Sequence, residues 1–219
     1  MKPIIFNTEM VRAILDGRKT QTRRIIKPQP KEGSSGFKLC RPLDDCFGKK
    51  YIKQFGVMYK PPKKEWLDDT HPMWNFVKCP YGQPCDRLWV RETWLQLKKD
   101  IHYPEDMVIV PKGIYYRADN KLANPKWKPS IHMPKKYARI WLEITNIRVE
   151  RVRDISEEDC LKEGLLDLEM ARDSRQCKNQ PVWSRNAKFG ILWNSINEKR
   201  GYGWDKNPFV WVIEFKEAN

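Results

Sequence analysis

Ile14-Leu15-Asp16-Gly17-Arg18-Lys19-Thr20-Gln21-Thr22-Arg23-Arg24-Ile25-Ile26 is the segment around which the rest of the chain is organised. Just upstream, Asn7 or Thr8 caps a helix in which Val11, Ile14 and Leu15 recur at i, i+3 and i+4, so one apolar face runs from about residue 8 to 16. Gly17 supplies its stop, because glycine enters the left-handed region with no Cβ penalty. The residues after Gly17 are rich in strand formers and include Arg18, Lys19, Arg23 and Arg24, until Pro28 and Pro30 end the run. A helix, a glycine stop and a basic strand therefore succeed one another directly.

Further along, strand signals return. Arg87 to Arg91 and Gly113 to Arg117 read as strands, and Ala138 to Val152 is the longest candidate. Within it Ile140, Leu142 and Ile144 share one face, whereas Ile147 and Val149 fall on the opposite phase. A bulge near Asn146 would return them to the core, and strands curved in this way favour a small barrel over a flat sheet. Ser156-Glu157-Glu158-Asp159 is a capping box with Ile155 and Cys160 placed as a hydrophobic staple, so a short helix begins here and stops at Gly164. Another runs from about Ser184 with Phe189, Leu192, Trp193 and Ile196 on one face. Pro208 to Phe215 is apolar on both faces until Glu214, which marks a buried strand. The pattern predicts an α+β fold in one domain spanning residues 1–219.

From residue 28 to about 84 the text changes to PQPKEGSSG, YKPPKK, HPMW and PYGQP, which predicts a long irregular insertion. Its Trp66 and Trp74 predict that it folds back on the body, since a disordered linker carries few aromatics.

Composition narrows the partner. The 42 Lys and Arg against 28 Asp and Glu leave +14, a balance that focuses positive potential toward polyanions. With it come 10 Trp, 8 Tyr and 8 Phe, and aromatic faces beside cations suit unpaired bases. RNA, another single-stranded nucleic acid or a modified nucleoside is the expected ligand. No apolar run reaches the length of a membrane span or a signal-peptide core, so a cytoplasmic location is expected. Cys40 to Cys46 and Cys79 to Cys85 each leave five residues between, wider than structural zinc spacings, so neither a metal nor another cofactor is expected.

The basic run is the first candidate site. Glu163 is the second, because a carboxylate in the last turn of a helix meets the negative end of the macrodipole, a cost of ~0.3 to 1 kcal/mol for which a function would be the compensation. Arg91 and Glu92 at a strand end, Trp94 as a stacking platform and His132 in a loop complete the candidate cleft.

These residues carry a resemblance. Ile14 to Arg24 resembles the signature of the ASCH domain, a branch of the PUA-like superfamily whose fold is a small β-barrel with flanking helices. Asp86 to Trp94, Ile155 to Gly164 and Asn207 to Phe215 are similar to the longer ASCH proteins of phages and prophages. The resemblance implies binding of RNA or modified nucleobases, or else hydrolysis: members include an amidohydrolase that removes the acetyl group of N4-acetylcytidine, and reported ribonucleases. By matching, that amidohydrolase's catalytic Lys, Thr and Glu fall on Lys19, Thr22 and Glu163, and its signature Arg falls on Arg24. Lys19 would be the base, Thr22 a nucleophile or water-orienting group, Glu163 the proton shuttle and Arg24 the holder of a phosphate or oxyanion. Arg18 and Arg23 would flank the ligand, Arg23 standing where the small enzyme is apolar. Because Lys19 and Thr22 would face opposite ways in one regular strand, Lys19 is expected in the turn that leaves Gly17.

Overall fold

A computed structural model describes residues 1–40, 54–63, 74–103, 108–119, 125–165 and 184–218. The fold is α+β. Its centre is a five-stranded sheet in the order β1 (Lys2–Ile5), β6 (Arg87–Arg91), β11 (Trp141–Arg151), β12 (Phe209–Glu217) and β2 (Gln21–Ile25), in which only β1 and β6 run parallel. Helices α1 (Thr8–Leu15), α2 (Glu157–Lys162) and α3 (Arg185–Asn197) flank it.

The long strand behaves as its pattern demands. Pairing of β11 with β12 shifts register between Ile144 and Asn146, and this bulge puts Leu142, Ile144 and Ile147 in one core. The β12 strand is apolar on both sides because it separates two cores: Phe209, Trp211, Ile213 and Phe215 enter the larger, while Val210 and Val212 join Val152, Ile155, Cys160, Phe189 and Trp193 in the smaller. In α1, Asn7 is the cap, accepting from the Met10 amide, and Asp16 and Gly17 end the helix with Gly17 at φ 70°. Leu15 differs from expectation: it is exposed, and Ala13 turns inward with Val11 and Ile14. At α2 the Ser156 hydroxyl accepts from the Asp159 amide, and at α3 the Ser184 hydroxyl accepts from the Ala187 amide, as the caps predict.

Two expectations need correction. The sheet does not close into a barrel, because its end strands β1 and β2 are not paired to each other. A side chain bridges the seam instead: Arg24 Nη2 donates to the Ile5 carbonyl at 2.6 Å, and its guanidinium lies 5.0 Å from the centre of the Phe6 ring. The insertion, for its part, is not wholly irregular. It contains an antiparallel sheet of β3 (Ser35–Cys40), β4 (Gly56–Lys60) and β5 (Asn75–Lys78), and Val57, Tyr59 and Val77 pack into the larger core. Trp74 packs beside Cys40 and Met58, so this tryptophan does tie the segment back, whereas Trp66 lies outside the described residues. The smaller hairpins β7 (Trp94–Leu97) with β10 (Gly113–Tyr116), and β8 (Ile101–Tyr103) with β9 (Val108–Val110), complete the strands. Among the described residues no helix is long and apolar enough to cross a membrane.

Trp211 is fully buried at the centre of β12, so Trp211→Ala should cost ~3 to 5 kcal/mol, read as a lowered urea midpoint, with the denaturant slope unchanged.

Candidate functional site

Lys19 lies outside β2, in the turn that leaves Gly17, where its backbone bridges that of Glu163. The turn is held on both sides. The amides of Arg18 and Lys19 donate to the Ala13 carbonyl, the Thr20 amide donates to Lys162, and the Thr20 carbonyl accepts from Phe215. Gly164 permits this approach: its φ is 90°, and a Cβ there would stand 2.8 Å from that of Ala13 and 3.0 Å from that of Lys19.

The contact of backbones sets up a contact of charges. Lys19 Nζ donates to Glu163 Oε2 at 2.8 Å and to the Glu163 carbonyl at 2.8 Å, with the lysine side chain wholly buried. Arg23 Nη1 lies 3.4 Å from Glu163 Oε1, and its Nη2 bonds Asp159 at 2.8 Å and Glu150 at 3.1 Å. Arg148 joins the same network through Glu150, Asp159 and Glu214. Glu163 is the C-cap of α2, the place where a carboxylate is disfavoured by the helix dipole, and two cations outweigh that penalty. Burial pushes the Lys19 ammonium below its ordinary value; Glu163 opposes this, and Arg24 and Arg23 add to it. Burial raises the Asp159 carboxyl, but the bond from Arg23 and the charges of Arg148 and Arg23 outweigh it and hold the group below the usual carboxylate range.

Beside this network a cleft of about 570 Å³ opens at the seam between β1 and β2. Thr22, Arg24 and Glu163 line it, with Tyr81 from the insertion and Leu192 and Ile196 from α3. Thr22 is almost fully buried, and among the described residues its hydroxyl makes no hydrogen bond, so it is free to meet a ligand. Tyr81 gives no signal in the sequence, where it stands inside the turn-rich PYGQP divider. Its phenol is raised by burial and partly lowered again by Arg24, so it stays a neutral donor.

The other candidates are placed elsewhere. Arg18 leaves the cleft and bonds Asp16 at 2.7 Å and the Gly164 carbonyl at 3.0 Å. Arg23 reaches the lining only in part, since its side chain is consumed by the carboxylates behind. Arg91 donates to the Met133 carbonyl and lies 5.1 Å from the Trp89 ring centre. Glu92 is buried against Arg139 with bonds of 2.9 and 3.0 Å, and the same arginine holds Asp119 and covers Tyr116. Trp94 is a core residue packed on Tyr137, so it offers no free face for stacking in the cleft. His132 is exposed in the turn Ser130–His132, outside the cleft lining. Lys19, Thr22, Arg24 and Glu163 are thus brought together, whereas Arg91, Glu92, Trp94 and His132 are not. Lys19 itself stands behind Glu163 and is absent from the lining, so of the pair only the carboxylate faces the cleft.

Comparison of the chain with protein-family models, with curated proteins and with solved structures gives no match.

The network makes two predictions. A cleft lysine with little packing would be dispensable for stability, but a wholly buried one is not: Lys19→Met strips Glu163 of its nearer cation and should cost ~3 to 5 kcal/mol in urea unfolding. Asp159 has its acidity raised by folding, so its contribution is complete above the unfolded value of about 3.9 and is lost as pH falls through the lower folded one. Thermal melts should therefore show a steep loss below about pH 4 that Asp159→Asn makes shallower.

Proposed function

We propose that the chain is an ASCH-type, PUA-like protein of the phage and prophage kind that holds an unpaired or modified base of RNA in the cleft between β1, β2 and α3. The observation that carries this reading is that Thr22, whose hydroxyl makes no hydrogen bond among the described residues, and Glu163 line one nucleoside-sized cleft together with Arg24, Tyr81 and the apolar side of α3. Arg24 and Tyr81 supply donors to the edge of a base, and Leu192 and Ile196 supply the surface against which its ring lies. Pockets of about 300 to 1,000 Å³ take ligands of this size. The net charge of +14 supplies the attraction to the strand carrying the base. A cytoplasmic setting suits such a ligand.

A second reading, hydrolysis of an N4-acyl cytosine, is favoured by one specific contact, Lys19 Nζ to Glu163 Oε2 at 2.8 Å. In that reaction Glu163, the member of the pair that reaches the cleft, takes a proton from water oriented by Thr22. The resulting hydroxide adds to the acetyl carbonyl, and Arg24 stabilises the oxyanion. Collapse breaks the bond between the carbonyl carbon and N4, and Glu163 returns the proton to N4. Acetate and cytidine leave. Lys19 is a positioning residue here, holding the carboxylate in place through its bond to Oε2.

Binding is tested with single-stranded RNA across salt concentration. Affinity should fall with a log–log slope of about −0.7 for each phosphate contacted, and Arg24→Ala should weaken it; absent or salt-indifferent binding would overturn the RNA reading. Turnover is tested by cytidine release from N4-acetylcytidine. Thr22→Ala and Glu163→Gln should abolish it, and the wild-type rate should fall at alkaline pH, below the ordinary lysine value of 10.5, as Lys19, with its lowered proton affinity, loses the charge that holds Glu163. No release alongside retained RNA binding leaves the reader alone.

A further inference from the structure

Base recognition uses the inner part of the cleft and leaves its rim unexplained. Three cations stand there, from three separate segments: Lys27 just after β2, Lys78 at the end of β5, and Arg200 in the turn Glu198–Arg200 after α3. All three are exposed, and among the described residues none has a carboxylate partner. What sets these three apart is their position around one opening: the only carboxylate lining the cleft among the described residues, Glu163, is already held by Lys19 and Arg23. Arg24 completes the positive set on the inner side, and its buried Nε has no hydrogen-bond partner among the described residues.

Like charges gathered around one opening repel one another, and an anion with several acceptor oxygens relieves the repulsion. The wall behind them is apolar, formed by Phe189, Leu192 and Ile196. A small inorganic anion would leave that wall uncovered, and a bare nucleoside would leave the cations without a counter-charge.

We infer that the mouth of the cleft is a phosphate subsite, so that its ligand is a nucleoside carrying a phosphate on the sugar, free or as the end of a strand. The inference rests on the cleft being the nucleobase site and adds the ligand's charged half. A phosphate monoester brings about −1.5 to −2 charge and three acceptors at neutral pH, enough for Lys27, Lys78 and Arg200 to bond at once. The insertion thereby acquires a purpose: through Lys78 it supplies part of the rim, and through Tyr81 part of the inner wall.

Calorimetric titration of the full chain with cytidine, cytidine 5′-monophosphate, 5′-phosphorylated dicytidylate and inorganic phosphate tests this. The monophosphate should bind at least tenfold more tightly than cytidine, and added salt should shrink the difference. In the Lys78→Ala/Arg200→Ala variant that ratio should fall to within about twofold. Lys216→Ala, whose lysine pairs with Glu143 far along the sheet, should keep it. A melting temperature shared by variant and wild type excludes misfolding as the cause. Equal affinity for cytidine and its monophosphate overturns the subsite and leaves the nucleobase reading intact, whereas no binding of any cytidine compound overturns both. If phosphate alone binds as tightly as the monophosphate, the rim is an anion site with no nucleoside attached. The dinucleotide separates the two sources of the phosphate: tighter binding than the monophosphate points to a strand end, and weaker binding to a free nucleotide.

Discussion

The buried contact between Lys19 and Glu163 is the constraint on which the arrangement depends. Taking two charges out of water costs several kcal/mol each, and a single 2.8 Å bond returns only part of it. The remainder comes from the groups around the pair: the Glu163 carbonyl accepts a second bond from the lysine, Arg23 approaches the other carboxylate oxygen, and the backbones are bridged at the same two residues. Two helix ends, that of α1 and that of α2, are thereby locked together with left-handed glycines, Gly17 and Gly164, closing each. Neither helix end could drift without exposing half of an ion pair to an apolar surrounding.

The same lock decides where the cleft opens. With β2 fixed to β12 on one side, its other edge faces β1 across a gap that backbone hydrogen bonds do not cross. Unpaired edges attract other strands unless they are covered. Here the seam is lined by Arg24, Phe6 and Thr22, which makes it a recess with polar and aromatic walls. The place where a barrel would have closed is the place where the cleft opens, and α3, part of the smaller core, contributes to its lining.

Much of this is legible in the residues. Caps such as Asn7, Ser156 and Ser184 act over three residues, so local chemistry decides them, and the bulge at Asn146 is written in a phase change of the apolar pattern. The difficulty of putting Lys19 and Thr22 on one strand also points correctly to a turn for Lys19. Non-local matters are not legible. Arg23 reads as one more surface cation, and only folding shows that Asp159, Glu150 and Glu163 converge on it from distant segments. Trp94 and Glu92 sit at a strand end, as cleft residues often do. Their burial depends on Tyr137 and Arg139, which no spacing rule connects to them. The strands of the insertion are masked in sequence by prolines and glycines between them, and Val57, Tyr59 and Val77 show their purpose only once the larger core exists to receive them.

The distribution of charge obeys the same logic. An excess of +14 spread evenly would raise solubility and little else, whereas here the cations divide into two populations by the cost of desolvation. Those inside, Lys19, Arg23 and Arg148, are matched to carboxylates because an unpaired buried charge is far more costly than a paired one. Those on the rim, Lys27, Lys78 and Arg200, have no such requirement because they are exposed to water, whereas Arg24 on the wall is desolvated by burial and is held by the Ile5 carbonyl and the Phe6 ring. The acids of the network, Glu150, Asp159, Glu163 and Glu214, are bonded to Lys19, Arg23 and Arg148 instead of to the rim cations. On the proposed reading, a nucleotide would set its phosphate among the exposed rim cations and its base toward Thr22 and Glu163, since all of these line the same recess.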